Sequence, residues 1–141
     1  MTDLPPFHLA FAVHDLGEAR RFYGGILGCA EGRSDSRWID FDFFGHQIVT
    51  HLDEAGGKAE ASNSVDGHDV PVPHFGAVLD WIDFAELRDR LEAAEVDWVI
   101  APYVRFADQP GEQSTMFVRD PSGNALEFKA FRDRGRLFAK D

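Results

Sequence analysis

HFGAVLDWIDFAELRDRLEAAEV, residues 74–96, decides the fold when it is set beside FHLAFAVHDLGEARRFYGGILG, residues 7–28. Each stretch has a histidine at the head of a short strand pattern, then an aspartate, then an amphipathic helix. Asp15 is expected to cap the first helix with Glu18 three residues on, and Asp83 the second with Glu86. Phe84, Leu87, Leu91 and Ala94 form the apolar stripe of the second helix, and Ala19, Phe22, Tyr23 and Ile26 that of the first. Two such segments in one chain indicate an internal repeat.

Working outward, strand patterns follow each helix. WIDFDFF (38–44) alternates, with Ile39, Phe41 and Phe43 on one face. Gly45 and His46 read as a tight turn into QIVTHL (47–52). In the second half DWVIA (97–101), STMFVR (114–119) and NALEFKAF (124–131) read as strands, and DPSGN (120–124) as a hairpin turn with Pro121 fixing φ and Gly123 taking positive φ. The order is β-α-β-β-β, a linker, then β-α-β-β-β. The fold class is α+β, with two tandem βαβββ modules. Residues 1–141 are expected to form one domain, with module one at about 5–55, a linker at about 53–73, module two at about 74–131 and a tail at 132–141. The linker is rich in Gly, Ser, Asn, Asp and Pro and has no period, so it reads as structureless. The tail reads as a loop or a short helix.

The 141 residues carry a formal charge of −11, with 44% hydrophobic residues including 13 Phe. This is a globular composition. Its acidity repels phosphate backbones and anionic bilayers, so neither nucleic acid nor a membrane is an expected partner. The single cysteine, Cys29, excludes an intrachain disulfide and reads as a packing residue. No signal-peptide pattern and no apolar run of membrane-spanning length is visible, and a cytoplasmic location is expected.

Strand alternation selects the chemistry-bearing side chains. Phe7, Leu9, Phe11 and Val13 point to the helix, and His8, Ala10, Ala12 and His14 to the other face. The second copy repeats this, with Phe75, Ala77 and Leu79 inward and His74 opposite. Leu126 and Phe128 pack inward, which puts Glu127 on the opposite face. A carboxylate between apolar neighbours needs a cation, an Arg or a metal beside it. Two His and a Glu from three strands suit Fe(II), Mn(II), Ni(II) or Zn(II). The residues alone leave a second reading open, in which the histidines are ordinary strand residues and Glu127 pairs with Arg or Lys.

These residues resemble the vicinal oxygen chelate superfamily: glyoxalase I, fosfomycin- and bleomycin-resistance proteins and extradiol dioxygenases. The resemblance spans about residues 7–131 and rests on FHLAFAVHDLGEARRFYGGILG, PHFGAVLD and DPSGNALEF. The last carries the family's DP-x-GN-x-x-E signature. The resemblance implies metal ligands at His8, His74 and Glu127, and a fourth position that alignment of IVTHL puts at His51, where metal-binding members often have Glu. His14, His46 and His68 are weaker candidates, at a strand end, in a turn and in the linker. Tyr103, Arg105 and Gln113 are expected in a loop near the site. Tyr103 and Arg105 could orient an oxyanion or move a proton, with Glu127 as a possible base; Arg105 could instead pair with a surface acid.

The resemblance implies that the two modules form a curved half-barrel around a metal cavity, which holds a divalent metal, Fe(II) favoured, and a small oxygen-rich substrate chelated to it, within a homodimer. PGEQ-x-x-MF followed by DPSGNALEFK resembles dioxygenase-like members. A glyoxalase-type lyase or isomerase, and a metal-free resistance-type binding protein, are the alternatives.

Overall fold

Phe44 and Gly45 both take positive φ (52° and 90°), which joins two antiparallel strands through a turn whose twist matches theirs. From this turn the first sheet can be traced in both directions. The computed structural model describes residues 4–55, 61–65 and 67–140. They divide into two compact units, one of residues 1–58 with 121–123, the other of residues 59–120 with 124–141.

Unit 1 contains β1 (His8–Val13), α1 (Leu16–Ala19), β2 (Ala30–Ser34), β3 (Trp38–Phe43) and β4 (His46–Leu52). The open sheet runs β1-β4-β3-β2, with β1 parallel to β4 and the other pairs antiparallel. Asp15 caps α1 as expected, its carboxylate accepting from the Glu18 N–H at 2.9 Å. The helix then continues with π-type hydrogen bonding over Arg20–Ile26, which the i, i+3 pattern did not show. Tyr23 is fully buried, with its ring against Phe11, Phe22 and Phe41 at 4.9–5.7 Å. Ile39, Phe41 and Phe43 are buried together as the alternation required. Phe7 departs from expectation. It lies before β1 and is exposed, while Phe11 and Val13 carry the buried face. β2 was not located in the sequence, because all five of its residues are exposed and show no apolar alternation.

Unit 2 contains β5 (Ala61–Val65), β6 (His68–Val72), β7 (Phe75–Leu79), α2 (Trp81–Ala93), β8 (Asp97–Arg105), β9 (Gln113–Arg119) and β10 (Ala125–Phe131), then a 3-10 turn at Arg134–Arg136. Its open sheet runs β7-β10-β9-β8, with β7 parallel to β10, and repeats the connectivity of unit 1. Each unit is thus one βαβββ module. Helix α2 buries Phe84, Leu87 and Leu91. It starts earlier than expected: Asp80 is the N-cap residue, with its carbonyl accepting from Phe84 N–H at 2.9 Å, and Asp83 lies in the first turn. The Asp80 carboxylate forms an ion pair with Arg134.

The stretch expected to be a structureless linker holds the β5-β6 hairpin, in register from Ala61–Val72 to Val65–His68. Residues 56–60 and 66 lie outside the described residues. The missed signal is the Asp-Gly dipeptide at 66–67, where Gly67 takes φ 78°. Val70 of this hairpin packs with Ile100 and Phe117, and Tyr103 packs against the same cluster.

Candidate metal centre

Glu127 sits mid-strand in β10, between Leu126 and Phe128, both fully withdrawn from solvent on the helix side. Alternation turns its carboxylate to the other face, where its side chain is 14% exposed. Three groups meet it, and an aromatic ring packs on one of them. His74 Nε2 lies 3.1 Å from Oε1, the Thr115 hydroxyl donates to Oε2 at 2.6 Å, and Lys129 Nζ stands 3.6 Å from Oε2. The Phe117 ring packs edge-on to His74 at 5.0 Å. Burial pushes the carboxyl pKa up, but the hydrogen bonds from His74 and Thr115 and the Lys129 charge outweigh it and hold it below the usual value. Hydrogen bonding to Glu127 raises the pKa of His74 against the opposing effect of burial.

The tautomer of His74 is fixed by its other nitrogen. Nδ1 lies 2.6 Å from the Pro71 carbonyl oxygen, which only accepts, so Nδ1 carries a proton. In the neutral ring Nε2 then bears a lone pair aimed at the same space as a carboxylate oxygen. Two electron-pair donors converging at 3.1 Å require a cation between or upon them, a proton or a metal ion. This is also how a metal-bound imidazole is prepared, with its second nitrogen donating to a backbone carbonyl.

The same criterion sorts the other histidines. Gln47 donates from Nε2 to Asp40 Oδ2 at 3.2 Å, so its Oε1 faces His8 and accepts from His8 Nδ1–H at 2.8 Å. His8 is therefore also left with its lone pair on Nε2. His46 is the reverse: it opens β4 instead of lying in the turn, and its Nδ1 accepts the Phe7 N–H at 2.8 Å. His14 has Nε2 at 2.8 Å from Glu18 and Nδ1 at 2.7 Å from the Ser122 hydroxyl, so both nitrogens are committed. His68 is half-buried in β6 and stacks on Tyr103 at 4.9 Å, where solvent exposure in a linker was expected. His51 is exposed and lies opposite Ala12, four residues along the sheet from the His8–Gln47 pair.

Tyr103 and Arg105 belong to strand β8, not to a loop, and Gln113 opens β9. The strand expected over 97–101 continues past Pro102, which β8 tolerates because it is an edge strand. Tyr103 is in register with Thr115 and Arg105 with Gln113, so both share the sheet face that carries Glu127. The Arg105 guanidinium lies over the Phe106 ring at 5.0 Å. Among the described residues, no group of three or more His, Cys, Asp and Glu side chains is gathered at metal-binding spacing. The structure brings His74 and Glu127 together, and places His8 and His51 in unit 1.

A profile of the Glyoxalase/Bleomycin resistance protein/Dioxygenase superfamily matches residues 6–128. The chain belongs to this superfamily, the vicinal oxygen chelate proteins. Its structure is similar to a glyoxalase/bleomycin resistance protein/dioxygenase from Alicyclobacillus acidocaldarius, 31% identical over 95% of this chain and 96% of that one, with a TM-score of 0.77. Similar folds at lower identity are the lactoylglutathione lyase of Agrobacterium tumefaciens (20%, covering 99% of each chain, TM-score 0.64) and the fosfomycin resistance protein FosX of Listeria monocytogenes (18%, 92% and 93%, 0.64). A search of curated proteins found no significant match. No helix among the described residues is long and apolar enough to cross a membrane.

Vicinal oxygen chelate proteins commonly use divalent metals; around Glu127 the described residues bring together one imidazole and one carboxylate of the kind that could hold one. Sequence reading missed Thr115, Pro71 and Gln47, the groups that orient the donors. Thr115 was within reach: once DPSGN closes with Asp120 and Asn124 paired, counting back sets Phe117 opposite Glu127 and Thr115 two pairs further, on the same face.

Proposed function

We propose that this superfamily member is a metal-dependent enzyme in which His74 and Glu127 hold a divalent cation, Fe(II) foremost with Mn(II), Ni(II) or Zn(II) as alternatives. His8 is proposed as a further ligand because its Nδ1 is committed to Gln47 in the same way. The observation that carries the reading is the Nδ1–H of His74 on the Pro71 carbonyl, which leaves Nε2 and the Glu127 carboxylate as converging electron-pair donors. A bound divalent ion would supply Lewis-acid stabilisation of negative charge developing on substrate oxygens.

The chain's own groups then orient the substrate. Tyr103 and Arg105 lie on the Glu127 face, where a phenol can hold or pass a proton and a guanidinium can bind an oxyanion. Two imidazoles and one carboxylate leave several positions open, which suits a dioxygenase acting on a small oxygen-rich substrate.

Metal analysis of protein purified without chelators, with thermal shifts on adding each ion, tests the first part. A stoichiometric divalent ion that is lost in His74→Ala and in Glu127→Gln, both still folded, is the expected result. Full metal content in either variant would remove the assignment. Oxygen consumption by the Fe(II) form with a panel of catechols tests the second part. A flat trace alongside intact metal binding would move the activity to the lyase or isomerase class. Absence of any metal response would favour ligand sequestration, with His74 and Glu127 serving as an ion pair.

A further inference from the structure

Unit 2 contains a cavity of about 570 Å³ at the end of its sheet, remote from the His74–Glu127 pair. Alternation along β10 places Glu127, Lys129 and Phe131 on one face, because Leu126, Phe128 and Ala130 are buried on the other. Phe131 lines the cavity, four residues beyond Glu127, or about 13 Å along the strand. Gln113, its partner in register, lines it too. The cavity is therefore an end of the same sheet face that carries the candidate metal donors.

Its walls have a definite chemistry. Phe106 and Phe131 supply two aromatic rings, Gln109 and Gln113 two amides, and Arg136 and Lys140 two cations. No acidic residue is among the described lining residues. In a chain with 25 acidic and 14 basic residues, a wall whose charged groups are both basic runs against composition. Two acids close in sequence have partners of their own. Glu112 accepts from Asp108 N–H at 3.1 Å and pairs with Arg132 at 3.5 Å, and Asp133 accepts from Gly135 N–H at 3.0 Å. Gln113 is buried, and its Nε2 reaches the Gly111 carbonyl only at 3.5 Å, which leaves that amide well disposed to a ligand.

We propose that this cavity binds a small aryl carboxylate. The ring packs on Phe106 and Phe131, the carboxylate takes charge-assisted hydrogen bonds from Arg136 and Lys140, and polar ring substituents meet Gln109 and Gln113. The volume matches ligands of that size. Binding requires no metal; only the identification of the ligand as the enzyme's substrate rests on the function proposed above.

The test uses the full chain, stripped of metal, titrated with 3-phenylpropionate and separately with its neutral amide, 3-phenylpropionamide. Binding is followed by calorimetry and by backbone amide NMR shifts. The carboxylate should bind about tenfold or more tighter than the amide, as expected for losing a charged hydrogen bond. Its shifts should cluster at residues 106–113 and 131–140, and the affinity should fall as salt rises. Arg136→Gln with Lys140→Gln should abolish the preference for the carboxylate while the amide binds as before. Equal affinity for the two probes, shifts that cluster elsewhere, an unchanged preference in the double variant, or no binding of either probe would overturn the proposal. Repeating the titration on His74→Ala separates this outcome from the metal assignment: aryl carboxylate binding persists there whether or not the metal is lost.

Discussion

A Cβ placed on Gly76 would fall 1.5 Å from the backbone carbonyl oxygen of Glu127. The two residues are partners in the parallel β7–β10 ladder, so the absence of a side chain at 76 lets β7 approach the strand that carries the carboxylate. No rotamer change relieves such an overlap, because the obstacle is backbone. Gly76→Ala must therefore push the strands apart. Overpacking of this kind costs about 3 kcal/mol or more, which corresponds to a fall in Tm of roughly 10 °C. It should also displace Glu127 from His74 and weaken metal binding. A Gly76→Ala protein with the Tm and metal affinity of the parent would show that the ladder is not so tight.

In the metal-stripped protein the His74–Glu127 pair should impose a pH optimum on stability. The raised pKa of His74 stabilises the fold fully below its ordinary value of 6.5 and loses that contribution as pH rises through the raised folded value. The lowered pKa of Glu127 contributes above its ordinary 4.5 and is lost as pH falls through the lowered folded value. Both contributions are complete between about pH 4.5 and 6.5. Lys129 Nζ faces the same carboxylate at 3.6 Å. The measurement is the Tm difference between parent and His74→Ala across pH, which cancels the general repulsion of an acidic chain. It should be greatest in that window and shrink above it. A difference that grows toward pH 9 would contradict the pairing.

Thr115 would act on a bound metal only through Glu127. Its hydroxyl donates to Oε2 at 2.6 Å and helps keep the carboxylate ionised and oriented. Thr115→Val preserves shape and removes the donor. The expected result is a protein of near-parental Tm whose affinity for the divalent ion falls about 10-fold, with Thr115→Ser restoring most of it. Equal affinity in the Val and Ser variants would make Thr115 a packing residue.

The sheet faces of His8 and Glu127 were legible because each lies in a strand whose apolar partners are unambiguous. Leu126 and Phe128 leave Glu127 no other face, and Phe11 and Val13 do the same for His8. The paired modules were legible because the apolar stripes of Phe84, Leu87 and Leu91 and of Ala19, Phe22 and Tyr23 repeat after equivalent strands. What the pattern could not show depends on neighbours in space. The extension of β8 past Pro102 rests on its edge position, and the β5-β6 hairpin rests on contacts of Val70 with Ile100 and Phe117. The tautomers of His8 and His74 depend on Gln47 and Pro71, which alternation alone does not assign to them.

His51 is where alignment and register part. Aligning IVTHL by its single histidine offers His51 as a fourth ligand, and it does share a sheet face with His8. The parallel β1–β4 ladder, however, sets His8 opposite Gln47 and His51 opposite Ala12. That is a separation of four residues, about 13 Å along the strand. Strand side chains stand roughly perpendicular to their sheet, so the two imidazole tips stay about as far apart as their backbones. Neither can meet the other on one ion at bonds of about 2.1 Å. The position beside His8 belongs to Gln47, which holds the His8 ring by its Nδ1–H. His51→Ala should accordingly retain metal content and an affinity within about twofold of the parent, well inside the cost of a lost hydrogen bond. Gln47→Leu should weaken binding about 10-fold or more by releasing the tautomer of His8. Metal titrations of the two variants side by side decide the matter: a loss in His51→Ala equal to that in His74→Ala would return His51 to the ligand set, and an unaffected Gln47→Leu would remove His8 from it.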